Sequence, residues 1–168
     1  MGSLSRTEST KPTCEAAQDP DLTALHEYWA GKCNGRKMPR RGDIDPTEIP
    51  SLLPHVFIAE IHHPLRFRFR LVGTAICDRW NENYNGKWLD ELALGNERAA
   101  VMQQYDRAAA SAVPQFDSTE FTNEFGRYLH YRRLLLPLSD DGNTPTMLLG
   151  AQKAIGVDGY SVPLPKWV

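Results

Sequence analysis

Two periods of hydrophobic residues divide this chain. Leu22, Leu25, Tyr28 and Trp29 stand at i, i+3, i+6 and i+7, the stripe of a helix. Asp19 or Asp21 caps its start, and Gly31 or Asn34-Gly35 ends it. A short helix is predicted over residues 46–53, with Pro46 at a favoured first position and Pro54 closing it. The period then drops to two. Residues 56–61 are apolar and β-rich, 62–65 read as a hairpin turn, and 66–72 alternate strictly. Phe67, Phe69 and Leu71 share one face of that strand, with Arg66, Arg68 and Arg70 on the other. Helical spacing returns after Gly73-Thr74, which supply a turn and a cap. It predicts a short helix over 75–80, a polar break, and a further helical turn at Trp88, Leu89 and Leu92. A longer helix over 96–112 buries Val101, Met102, Tyr105 and Ala109. Strands at 114–122, 127–136 and 146–155 close the pattern, the last two joined by a turn through Asp141-Gly142. Strand 127–136 carries Tyr128, His130 and Arg132 on one face and Leu129, Tyr131 and Arg133 on the other. Neither face is cleanly apolar, so the pattern leaves its orientation open.

Runs of strands separated by a helical block predict an α+β fold with an antiparallel sheet. The 168 residues fit one domain, placed at 19–156 between a polar disordered tail (1–18) and an extended tail (157–168). The formal net charge is -2, which argues against a dedicated nucleic-acid binder. No apolar run approaches the roughly 20 residues of a membrane span, and no signal-peptide core is visible. Cys14, Cys33 and Cys77 are odd in number and lack Cys-x-x-Cys spacing. That pattern points to a reducing cytoplasm and away from disulfides or structural zinc.

The order of elements, a strand hairpin, a helical cluster and three meandering strands, is that of a PAS domain. The segments YWAGKCNGRKMPRRGDIDPTEIPSLLPHVFIAEI, FRFRLVGTAICDRW, YNGKWLDEL and LPLSDDGNTPTMLLGA narrow the likeness. Together they resemble a bacterial subfamily of small, often stand-alone PAS proteins, over residues 20–155. Met38-Pro39, Asp43-Ile44-Asp45-Pro46 and Leu52-Leu53 within the first segment are its most specific part. Asn81 stands where the subfamily tends to carry Gly, and Asn tolerates the left-handed backbone such a turn needs. The resemblance implies a PAS fold: a five-stranded antiparallel sheet in order 2-1-5-4-3, a helical cluster on one face and an N-terminal helix. It also implies a sensory or regulatory role with a small-molecule ligand or signalling protein as partner. The length leaves no room for an attached output domain, so the expected output is through a partner.

Candidate chemistry is sparse. The ligand-binding candidates are Arg70, Trp80, Tyr84, Trp88, Tyr105 and Tyr131, with Phe116 and Tyr128 among the aromatics expected around a PAS cavity. Hydrophobic core is the ordinary role for most of these aromatics. An exposed sheet face is the ordinary place for Arg66, Arg68 and Arg70. Leu22, Leu25, Tyr28 and Trp29 form the candidate dimer interface, because their stripe needs cover. The basic run Lys32, Arg36, Lys37, Arg40 and Arg41 reads as a solvated connector balanced by Asp43, Asp45 and Glu48. No metal constellation stands out. Haem is disfavoured because 96–112 holds no His, and flavin because the adduct-forming motif is absent around Cys77. No nucleophile or phosphate-loop motif is present. The expectation is therefore a cytoplasmic homodimer that is not an enzyme. Two rivals remain: a ligand-free interaction module with no sizeable cavity, and a small enzyme using Glu60 or Asp78 beside Tyr105.

Overall fold

Helix α1 (Pro20–Lys32) begins where Asp19 turns its carboxylate onto free backbone N–H groups. Asp19 Oδ1 accepts from the backbone of Asp21 at 2.9 Å and of Leu22 at 3.3 Å. The computed structural model describes residues 19–122 and 128–155, so the tails expected at 1–18 and 157–168 lie outside the described residues. After α1, positive φ at Asn34 and Gly35 turns the chain. It then runs as a strap that buries Met38, Ile44, Ile49 and Leu52. Arg36 pairs with Asp43 at 2.6 Å and Lys32 with Glu48 at 2.6 Å, so part of the basic run is balanced as expected.

The helix expected over 46–53 is instead two 3-10 turns, Pro46–Glu48 and Leu53–His55. Pro50 explains the break. It donates no N–H and disfavours helical angles at the residue before it, and Ile49 sits at φ -130, ψ 44. Pro54 lies inside the second turn rather than closing a helix.

Strands β1 (Val56–His62), β2 (Arg66–Val72), β3 (Gln115–Thr122), β4 (Tyr128–Leu138) and β5 (Met147–Ala154) form one antiparallel sheet in order β2-β1-β5-β4-β3. The alternation expected along β2 fails at its end. Ile58 pairs with Leu71 but Ala59 pairs with Phe69, so β2 carries an extra residue there. That bulge turns Leu71 outward, 45% exposed, and sends Val72 into the core.

Helix α2 (Thr74–Trp80) follows, capped by the backbone of Gly73 without a side-chain bond. Asn81 ends it in the left-handed region, φ 55 and ψ 36, as its tolerance for that region predicts. Helix α3 (Arg98–Ser111) starts two residues later than expected, after a 3-10 turn at Gly95–Glu97. It buries Val101, Gln104, Tyr105 and Ala108, while Met102 and Ala109 are only partly buried.

The sheet separates two cores. On one face α2, α3 and the 89–94 segment cover Phe57, Phe67, Phe69, Leu135 and Leu148. On the other, α1 and the strap cover Val56, Ile58, Leu134, Leu136, Leu138 and Leu149. Two glycines permit this packing. A Cβ on Gly150 would overlap the Phe57 ring, its cross-strand neighbour, and a Cβ on Gly73 would overlap the backbone of Leu53 and Pro54.

Candidate functional site

Alternation along β4 decides what faces the helical cluster. Leu134, Leu136 and Leu138 join the core under α1, so Tyr131, Arg133 and Leu135 point the other way. The orientation that the pattern left open is thus set by three leucines at the strand's end. Gln152 of β5 is the register partner of Arg133 and shares its face.

Between that face and the helices lies a cavity of about 30 Å³. A water needs about 10–15 Å³ in the same measure, so there is room for two or three. Phe57, Phe69 and Val72 form its sheet wall on β1 and β2. Ile76 and Trp80 of α2, Tyr84, Leu89, Leu92, Leu94 and Tyr105 of α3 close the rest. Arg133 and Gln152 supply its charged and amide groups.

The aromatic wall is cross-braced. Phe57 meets Phe69 edge-on at 5.5 Å and stacks on Tyr105 at 6.2 Å, and Trp80 meets Tyr84 and Tyr131 edge-on at 6.0 Å each. Burial pushes the Tyr105 phenol up to about 12 and raises Tyr84 as well, so both are neutral donors at physiological pH.

Arg133 is the unusual member. It is 3% exposed. One terminal nitrogen donates to Gln104 Oε1 and the other to the Tyr131 hydroxyl at 2.8 Å. Its guanidinium carbon lies 4.9 Å from the Tyr131 ring centroid and 5.2 Å from that of Tyr105. Gln104 in turn donates to Thr119 at 3.0 Å, which accounts for a buried amide on α3. The Arg133 Nε and the Gln152 side-chain nitrogen find no hydrogen-bond partner among the described residues. Asp117, opposite Arg133 on β3, pairs with Arg107 at 2.7 Å. Its pKa is raised, chiefly by burial, against the pull of Arg107 and Arg133.

Of the six expected ligand residues, Trp80, Tyr84 and Tyr105 line the cavity, and Tyr131 braces it through Trp80 and Arg133. Arg70 and Trp88 do not. Arg70 is 62% exposed in its side chain and pairs with Glu60 at 3.2 Å. Trp88 lies against Arg66, 4.1 Å from the ring centroid, and edge-on to His62. The cavity belongs to the Phe67 and Phe69 face of β2, whereas alternation puts Arg70 on the other face and an isolated bridge pairs Trp88 with Arg68. Phe116 packs instead toward α1, edge-on to His26 at 5.6 Å. The side chain of Tyr128 lies outside the described residues.

Leu22, Leu25 and Trp29 are buried against the chain's own sheet, and the Trp29 indole donates to Pro137 O at 2.9 Å. Tyr28 bonds Glu48 at 2.7 Å. The need for cover that pointed to dimer packing is met within the chain. Glu60 bonds His62 and Arg70 and Asp78 is exposed, so neither carboxylate converges with Tyr105 in the cavity. Sequence reasoning missed Arg133 and Gln152. The signal was Leu134, Leu136 and Leu138, whose spacing orients the strand.

Among the described residues there is no group of three or more His, Cys, Asp or Glu arranged to hold a metal, and no helix long and apolar enough to cross a membrane. A family model described as PAS domain matches residues 17–153. No curated protein matches the chain. Among solved structures, the PAS domain of Bordetella pertussis BvgS is 19% identical with a TM-score of 0.50, over 66% of this chain and 82% of that one. A Rhodobacter sphaeroides LOV protein is 13% identical with a TM-score of 0.53, over 69% and 71%. The PAS domain of a Colwellia psychrerythraea protein is 7% identical with a TM-score of 0.50, over 65% and 95%. At these identities the likeness is one of fold.

Proposed function

The chain belongs to the PAS domain family, and on that premise we propose that it senses a small molecule in the cavity between the sheet and α2–α3. PAS domains are generally sensory and signalling modules rather than enzymes. One observation carries the proposal: a guanidinium and an amide, each with an open donor, sit in an otherwise apolar and aromatic cavity. A core built only for stability leaves few donors unpaired.

Ligand occupancy would favour one arrangement of α2 and α3, and a signalling partner would read the changed surface. On this reading the chain acts as a bacterial, cytoplasmic regulator of this family. The cavity's size supports a ligand much smaller than a flavin or a haem. The same small size favours a second reading, a ligand-free interaction module. A homodimer through Leu22, Leu25 and Trp29 would require α1 to leave the sheet.

Native mass spectrometry of freshly purified protein, set against the denatured mass, tests these readings together. The sensory reading expects a non-covalent excess that denaturation removes, and saturation by a small molecule in titration. A bare chain that takes up none of a panel of small metabolites overturns it and leaves the interaction module. A doubled mass reports the dimer.

A further inference from the structure

We propose that the ligand of this cavity is a small monocarboxylate, held with its two oxygens on Arg133 and Gln152 and its short alkyl chain among the apolar lining. The inference rests on the sensory reading above, because it names the ligand of that same cavity.

Charge comes first. Arg133 stays protonated at any pH a protein meets, and its hydrogen-bond partners, Gln104 and Tyr131, are not carboxylates. Asp117 faces it across the β3–β4 pair but pairs with Arg107 at 2.7 Å, so two guanidinium groups share one carboxylate. A buried cation without a full counter-charge favours an anion beside it.

Geometry comes second. The open donors, Arg133 Nε–H and the Gln152 amide, belong to register partners on adjacent strands, and both residues line the same cavity. A carboxylate brings two acceptor oxygens to two donors, and Arg suits planar carboxylates in particular. A neutral amide brings one acceptor oxygen. A phosphate or a dicarboxylate brings a second negative charge to a lining whose one cationic side chain is Arg133.

Size comes third. A volume of about 30 Å³, room for two or three waters, suits only the shortest acids, acetate and propionate. The apolar wall accepts the alkyl end and rejects a second polar group.

Isothermal titration calorimetry of the full chain in chloride-free buffer tests this with propionate, propionamide and succinate. The expected result is saturable propionate binding at least about tenfold tighter than propionamide or succinate, the discrimination a charge-assisted pair provides. In Arg133→Gln, checked for fold by circular dichroism, the preference for propionate over propionamide is expected to disappear. Gln152→Leu is the second variant should Arg133→Gln fail to fold, and it is expected to weaken propionate by about tenfold for the lost donor. Propionamide or succinate binding as tightly as propionate overturns the carboxylate assignment and leaves the sensory reading standing. Propionate binding unchanged in the folded variant also overturns it, since the acid then sits elsewhere. No binding of any short acid or amide overturns the assignment, while a different mass excess in the native spectrum would keep the sensory reading alive.

Discussion

Gly150 shows how narrow the tolerance is at single positions near the cavity. The Phe57 ring occupies the volume above it, and any Cβ there would overlap the ring. Gly150→Ala therefore forces Phe57 away from β5, toward the cavity that it lines. We expect a loss of about 1–3 kcal/mol, the usual cost of overpacking, read as a lower urea midpoint at unchanged slope.

Asp141 gives a second residue-scale prediction. Its Oδ1 accepts from the backbone of Asn143 and Thr144 and from Ser139, each at 2.8 Å. Those bonds to Thr144, Asn143 and Ser139 lower its pKa to about 2. An unfolded Asp titrates at about 3.9. The contribution is therefore complete above that value and is lost as pH falls toward 2. Thermal melts across this window should fall more steeply for the native chain than for Asp141→Asn. Equal slopes would show that the turn carries none of the acid sensitivity. Tyr105 was legible in the sequence because helical spacing placed it inward, and Trp80 because the family resemblance put its element beside a cavity. Arg133 was not legible, because its strand mixes Tyr, His and Arg on both faces and its burial depends on Gln104, a partner on another element.

At the scale of elements, α1 earns its place through the far side of the sheet. Leu22 and Leu25 are fully covered there, and Trp29 adds its bond to Pro137. Leu25→Ala should cost about 2–5 kcal/mol as an unfilled cavity. Trp29→Phe removes a buried hydrogen bond, about 1 kcal/mol, besides ring volume. Chemical denaturation of the two variants measures both. Near-native stability in Leu25→Ala would mean that α1 is only loosely attached. Several elements could be read from their pattern, because β2 alternates, β1 is a continuous apolar run and α1 and α3 carry apolar stripes. Two could not be read that way. Pro50 overrode a helical composition in 46–53, and the β2 bulge exchanged Leu71 for Val72. Both are backbone effects to which hydrophobic period is blind.

At the scale of the molecule, the fold was legible because element order and family motifs agreed, and strand order 2-1-5-4-3 followed from the family resemblance. The most specific motif is now intelligible in physical terms. Met38, Ile44 and Leu52 anchor a strap over the outer core, while Asp43 and Asp45 fix its turns through Arg36, Arg40 and Thr47. The relation between the two cores was not legible, since the sheet that separates them is made of residues distant in sequence.

Gly73 is where those two cores meet outside the sheet. Its backbone N–H donates to Val56 O at 2.8 Å, and its bare Cα rests on the carbonyls of Leu53 and Pro54. In mechanical terms it is a bearing without clearance: α2 starts from it at one side, and the strap that covers the outer core ends at the other. We expect a tilt of α2 produced in the cavity, where Ile76 and Trp80 sit, to be handed on to the strap at this close contact. Such a linkage converts an event on the inner face into a displacement on the outer face with no path through the strands. Hydrogen exchange along residues 46–55 would register that displacement when the cavity fills, and exchange unchanged there would uncouple the two faces.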